Sequence, residues 1–118
     1  MKLIDTNVIL RYLLDNIRKQ HDQAAAVIKD VAFTLPEVFA EVVYVLSGYY
    51  GVDRESVHEA LTKLLQDVNI ANKDAIIQSL DIYRESSLDF VDCVFIGRNH
   101  VLGDDVFSFD KKLNRRLL

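Results

Sequence analysis

Short apolar runs alternate along this chain with longer stretches in which apolar residues recur every three or four positions. The runs at 2–4, 32–35, 68–71 ("VNIA") and 106–109 ("VFSF") have the length and the β-branched or aromatic content of strands. Between them the spacing is helical, at about 7–14, 18–29, 73–85 and 90–99, with a short basic helix from Lys111. A further helix starts at Pro36, a residue suited to the first helical turn, and runs to about Tyr50, where Gly51 stops it. Asp53 opens another, with Val57, Ala60, Leu61, Leu64 and Leu65 on one side. Strands alternating with such helices predict a parallel sheet covered on both faces, and ligands in such sheets sit at the carboxyl ends of the strands. No repeat, linker or low-complexity segment interrupts residues 1–118, which are expected to form a single domain.

The acidic residues gain meaning from this layout. Asp5 ends the first run, Asp110 ends the last, and Asp92 falls in the first turn of "DFVDCVFIGRN". Each has a plainer use: Asp5 and Asp110 suit helix caps, and Asp89 with Asp92 has the spacing of a capping box. Asp92 strains that use, because Phe90, Val91, Cys93, Val94, Phe95 and Ile96 surround the helix on projection and predict a nearly enclosed carboxylate. Such a group is protonated, paired with a cation, or holds a metal. The only cations nearby in sequence, Arg98 and His100, point away from the helix start, so a metal is the simplest partner. Glu41 lies on the arc of its helix opposite the broad apolar face, with Glu37, Ala40, Tyr44, Ser47 and Gly48. That arc reads equally as an exposed stripe or as the lining of a cleft.

Composition narrows the classes. A net charge of -4 argues against a simple phosphate-binding surface. The single cysteine, Cys93, forms no internal disulfide and reads as core. No signal peptide or membrane-crossing run is evident, which predicts a cytoplasmic protein. His21, His58 and His100 share no metal-ligand spacing, no glycine-rich phosphate loop occurs, and the five tyrosines read as packing. A two-component receiver domain would need adjacent acids where Asp5 is followed by Thr6, and a haloacid-type phosphatase would need an aspartate where Asn7 stands.

Four segments together carry a family resemblance. "KLIDTNVILRYLL", "PEVFAEVVYVLSGYYGV", "LDFVDCVFIG" and "VFSFDKKL" resemble, in order and over essentially the whole chain, the four acidic motifs of PIN-domain ribonucleases. The small single-domain form is similar to the VapC-type toxin of VapBC toxin–antitoxin pairs. The resemblance implies a PIN-like three-layer α/β/α fold with a short central parallel sheet. It also implies a metal-dependent endoribonuclease whose catalytic and metal-ligating quartet is Asp5, Glu41, Asp92 and Asp110. Thr6, Asn7, Asp89 and Ser108 would line the site, and one or two Mg²⁺ or Mn²⁺ ions would be the cofactor. Such hard ions, held by oxygen ligands, lower the pKa of a bound water and relieve charge at phosphorus. The implied products carry 5'-phosphate and 3'-hydroxyl ends, and the implied partners are RNA, a small antitoxin and a second copy of the chain. The helices at 42–50 and 57–65 are candidates for the dimer surface, with core packing as their competing use. Alternatives are a PIN nuclease of RNA processing and a catalytically silent module that binds RNA or a partner.

The charge balance changes once the quartet is set aside, because 14 acids then face 14 bases. Arg11, Lys111, Lys112 and Arg115 become candidates for RNA phosphates flanking the scissile one. A solvated basic helix end is the equally ordinary use of the last three.

Overall fold

The computed structural model describes residues 1–118. The chain runs β1 (Lys2–Leu3), α1 (Thr6–Leu14), α2 (Arg18–Lys29), β2 (Ala32–Thr34) and α3 (Pro36–Tyr44), which continues as a π-helical turn over Val45–Tyr49. It goes on through α4 (Arg54–Leu64), β3 (Val68–Ile70), α5 (Lys73–Glu85), α6 (Phe90–Leu102) and α7 (Lys111–Asn114). The three strands make one parallel sheet with β2 in the middle. Lys2 pairs with Ala32 and Leu3 with Phe33, and β2 pairs with β3 from Ala32↔Val68 to Thr34↔Ile70. Parallel neighbours need long crossovers, and each of these carries two helices. The result is the expected α/β/α arrangement with a short parallel sheet.

Apolar faces of nearly all the elements meet in one core. Ile9 of α1, Phe39 and Val42 of α3, Val57 and Leu61 of α4, Val68 of β3, Leu80 of α5 and Ile96 of α6 are wholly buried. The apolar faces of the helices at 42–50 and 57–65 are consumed here: Val42, Val43, Leu46, Leu61, Leu64 and Leu65 are all core. Core packing, the competing use, therefore accounts for these faces, while Tyr44, Tyr49 and Tyr50 of the first segment stay exposed. Helices α5 and α6 approach closely at Gly97, where a Cβ would press on the Ser79 hydroxyl and stand 2.7 Å from the Ala75 carbonyl oxygen. Ser79 is itself buried and donates to that same carbonyl at 2.7 Å.

Two ties position the carboxyl end of β1. The Ile4 amide donates to the Phe33 carbonyl at 2.9 Å, and the buried Thr34 hydroxyl donates to the Ile4 carbonyl at 2.9 Å. The strand-to-helix turn that carries Asp5 is thus held from β2.

The expected strand at 106–109 does not form, and the sheet stops at three strands. Strand propensity is realised only where a partner edge and a packing surface receive the segment. Here only Val106 packs on the core, while Phe107 and Phe109 are 85% and 90% exposed with their rings edge to face. The loop is anchored instead at its start, where Arg98 Nε donates to Asp104 Oδ2 at 2.7 Å and the Asn99 side chain donates to the Asp104 carbonyl at 2.9 Å. Helix α6 also outruns its expected end at Asn99 and stops at Gly103, which takes a φ of +74°. No helix is long and apolar enough to cross a membrane.

Candidate active site

Helix α6 begins with Asp89 at its N-cap and brings Asp92 round one turn later. The Asp89 side chain makes no capping hydrogen bond, so the capping-box use of this pair is not realised. Both residues line a cleft of about 330 Å³ whose other wall includes Ala40, Tyr44 and Ser47 on α3 and its π-helical turn. The arc opposite the apolar face of α3 thus does line a cleft. Glu41 itself, exposed on the same helix, is not among the lining residues.

Asp92 is partly buried rather than enclosed. The helical projection placed apolar residues all round it, but Val91 and Phe95 turn outward, 54% and 49% exposed, and leave one flank of the helix open. Its carboxyl still holds its proton above the usual carboxylate range. Partial withdrawal from water is the largest cause, followed by the negative charges of Asp110 and Asp89. Asp110, at the far end of the chain, is therefore an electrostatic neighbour of Asp92.

Asp5 and Asp110 do perform the plainer task. Asp5 Oδ1 accepts from the Val8 amide at 3.0 Å and caps α1. Asp110 Oδ1 accepts from the amides of Lys112 and Leu113 at 2.8 and 3.1 Å and caps α7. Ser108 shapes that second turn: its hydroxyl accepts from the Asp110 amide at 3.0 Å, and its carbonyl accepts from the Asn114 side chain at 2.8 Å. Thr6 and Asn7 open α1, with Asn7 turned to a groove against α2. No three acidic, histidine or cysteine side chains converge as a ready ligand set. None of Asp5, Glu41, Asp89, Asp92 or Asp110 has a cation within ion-pairing distance; every ion pair of the molecule uses other acids.

The cations near Asp92 in sequence are occupied elsewhere, Arg98 on Asp104 and His100 on the Arg116 carbonyl at 2.6 Å. Arg54, from the start of α4, is the one that reaches the cleft. Its Nη1 donates to the carbonyls of Tyr83 and Leu88 at 2.9 and 2.8 Å, and its guanidinium lies 4.1 Å from the Tyr83 ring centroid. It clamps the segment joining α5 to α6 and so sets where Asp89 and Asp92 stand. Nothing in the local sequence marks it, because both carbonyls lie some 30 residues downstream.

Three further placements matter. Lys112, Arg115 and Arg116 gather with Ser86 and Ser87 around a pocket of about 390 Å³, and Lys111 is exposed beside them. Tyr44, Tyr49 and Tyr50 are 77%, 80% and 40% exposed, against the packing use expected of them, whereas Tyr83 is core and Tyr12 stacks on His21. Cys93 is buried, its thiol pushed up to about 11 chiefly by that burial, and is an inert core group.

Comparison with known proteins gives two matches. The PIN domain family model matches residues 2–116. A VapC ribonuclease of Aquifex aeolicus (strain VF5) is 28% identical over 123 residues, covering 98% of this chain and 91% of that protein. No solved structure matches.

Proposed function

Because the chain belongs to the PIN domain family, we propose that it is a metal-dependent endoribonuclease, the toxin of a VapBC-type toxin–antitoxin pair. The observation that carries this reading is the unpaired acidity around Asp92, whose proton affinity is raised first by partial burial and then by the charges of Asp110 and Asp89, with no cation paired to any of the three. Neighbouring carboxylates without a cation suit hard divalent ions, and the donor set is all oxygen. Asp5, Glu41, Asp92 and Asp110 would hold Mg²⁺ or Mn²⁺, with Asp89 in support. When bound, such an ion lowers the pKa of a coordinated water and offsets charge on the phosphoryl oxygens. The chain's own residues place the substrate: Thr6, Asn7 and Ser108 border the acids, and Lys111, Lys112 and Arg115 meet flanking phosphates. Arg54 acts through the backbone, by holding the start of α6. Likeness to the Aquifex VapC ribonuclease favours the toxin reading over RNA processing. With it come a small antitoxin partner, a homodimer and a cytoplasmic site of action.

The test is cleavage of a mixed-sequence RNA by the full chain with Mn²⁺, with excess chelator, and by variants. The parent should cut internally with metal and not with chelator. Asp5→Asn should lose activity by orders of magnitude, while Asp53→Asn, which alters only the cap on the Ser56 amide at 2.8 Å, should cut as the parent does. RNA bound but never cut would establish the silent module instead. Induced expression separates the remaining two: growth arrest that Asp5→Asn abolishes marks a toxin, and unimpaired growth marks a processing nuclease.

A further inference from the structure

The groove between α1 and α2 is the one large concavity of this acidic protein in which basic residues meet no acid beside an apolar floor. It encloses about 370 Å³, with Lys2, Asn7, Arg11, Gln20 and Gln23 as its polar groups. Its floor is apolar, formed by residues such as Leu3, Val8 and Val27. The cavity beside α4, by contrast, carries Glu59 and Asp67, and the cleft at α6 carries Asp89 and Asp92. Asn7 stands two residues after Asp5, so the groove begins at the carboxyl end of β1 and runs one turn along α1 to Arg11. Arg11 is only partly used: Nη1 donates to Asn16 Oδ1 at 3.1 Å, while Nε is enclosed with no hydrogen-bond partner. A buried donor without a partner is costly unless something else satisfies it.

We propose that this groove is a nucleotide subsite, which takes the base and phosphate of an RNA residue flanking the bond to be cut. The inference rests on the nuclease reading and deepens it by placing sequence preference. Two cations and no acid suit a phosphate, and an apolar floor suits a base face. Carboxamides suit the base edge: an Asn or Gln side chain offers a donor pair and an acceptor together, which is what a Watson–Crick edge requires of a reader. The volume lies at the lower end of small-molecule sites and fits one nucleotide. Lys2 and Arg11 hold the phosphate, and Gln20 and Gln23 on α2 read the base.

Two measurements on the full chain test this. The four 5'-nucleoside monophosphates, and inorganic phosphate alone, are titrated while the side-chain amide signals of Gln20 and Gln23 are followed by NMR. One or two bases should move those signals well beyond the others, phosphate alone should not, and Gln23→Ala should weaken the preferred nucleotide about tenfold. The second measurement maps cut positions in a mixed-sequence RNA, where Gln20→Ala and Gln23→Ala should redistribute the cuts. Equal responses to all four nucleotides and to phosphate, or no response, would overturn the subsite and leave at most an anion patch. So would an active nuclease whose cut positions are unchanged in both variants. If the parent cuts nothing, the nuclease reading is what fails, and the titration alone decides whether a nucleotide binds here.

Discussion

Asp92 and Arg54 show how a single residue's position in space decides its meaning. The folded pKa of Asp92 lies above its unfolded value, so the sign of its contribution follows directly: stability is fully present below the usual carboxylate pKa and is lost as pH rises through the raised one. In metal-free protein, Asp92→Asn cannot ionise and escapes that loss. Its melting temperature should therefore pull ahead of the parent's as pH rises from about 3 to 7, and then level off. A parent that melts no lower than Asp92→Asn at neutral pH would mean that neither the partial burial of Asp92 nor the charges of Asp110 and Asp89 burden the fold. Arg54→Met should act in the opposite sense. It strands the Tyr83 and Leu88 carbonyls and costs about 1–3 kcal/mol, measured by denaturant unfolding. It should also slow RNA cleavage and weaken metal binding together, since Arg54 acts by holding the start of α6, which carries Asp89 and Asp92. Asp92 could be singled out along the chain because its helix start carries a run of apolar neighbours. Arg54 could not, because its partners are backbone carbonyls that only the fold brings near.

At the scale of elements, what was legible is what local periodicity encodes. The strands at β1, β2 and β3 and the helices α1 to α6 follow from apolar spacing, from Pro36 opening α3 and from caps such as Asp5 and Asp53, whose side chains accept the Val8 and Ser56 amides. The segment 106–109 misled because run length and β-branched or aromatic content say nothing of a partner edge; Phe107 and Phe109 ended in solvent. Apolar spacing was equally blind to close approach. Gly97 sits mid-helix, where glycine is unfavourable by roughly 1 kcal/mol relative to alanine, yet α5 leaves no room for a methyl group. Helix propensity and packing therefore pull in opposite directions at this position, and packing should win. Gly97→Ala is expected to destabilise the protein by about 1–3 kcal/mol, because neither the Ala75 carbonyl nor the Ser79 backbone can retreat without parting α5 from α6. Ser79→Ala alone would not relieve it, since the carbonyl stays in place. A melting temperature equal to or above the parent's in Gly97→Ala would show that the two helices slide apart freely.

Across the whole molecule, the proposed quartet accounts for the net acidity. The net charge of -4 equals the four acids of the proposed quartet, so the remaining surface is balanced. The bases proposed to meet RNA lie in two separate places, Lys112, Arg115 and Arg116 around the pocket at α7 and Lys2 and Arg11 in the groove at α1. The acids themselves repel the phosphate they are proposed to cut until cations join them, so metal binding should govern both stability and substrate entry. A ligand that binds only the folded chain stabilises it by about 2.7 kcal/mol at a hundred times its dissociation constant. For a domain of this size that is a rise in melting temperature on the order of 10 °C. Chelator-treated protein titrated with Mn²⁺ or Mg²⁺ should show such a rise, and Asp5→Asn should blunt it while keeping the α1 cap, because asparagine caps about as well as aspartate. The expected pairing is a metal-free Asp5→Asn protein as stable as the parent or more so, with little further gain from metal. Ca²⁺, which prefers more ligands at longer distances, should stabilise less than Mn²⁺ at equal concentration. A parent whose melting curve does not move at millimolar Mn²⁺ would sink the assembled metal site and return Asp5 and Asp110 to their capping roles alone.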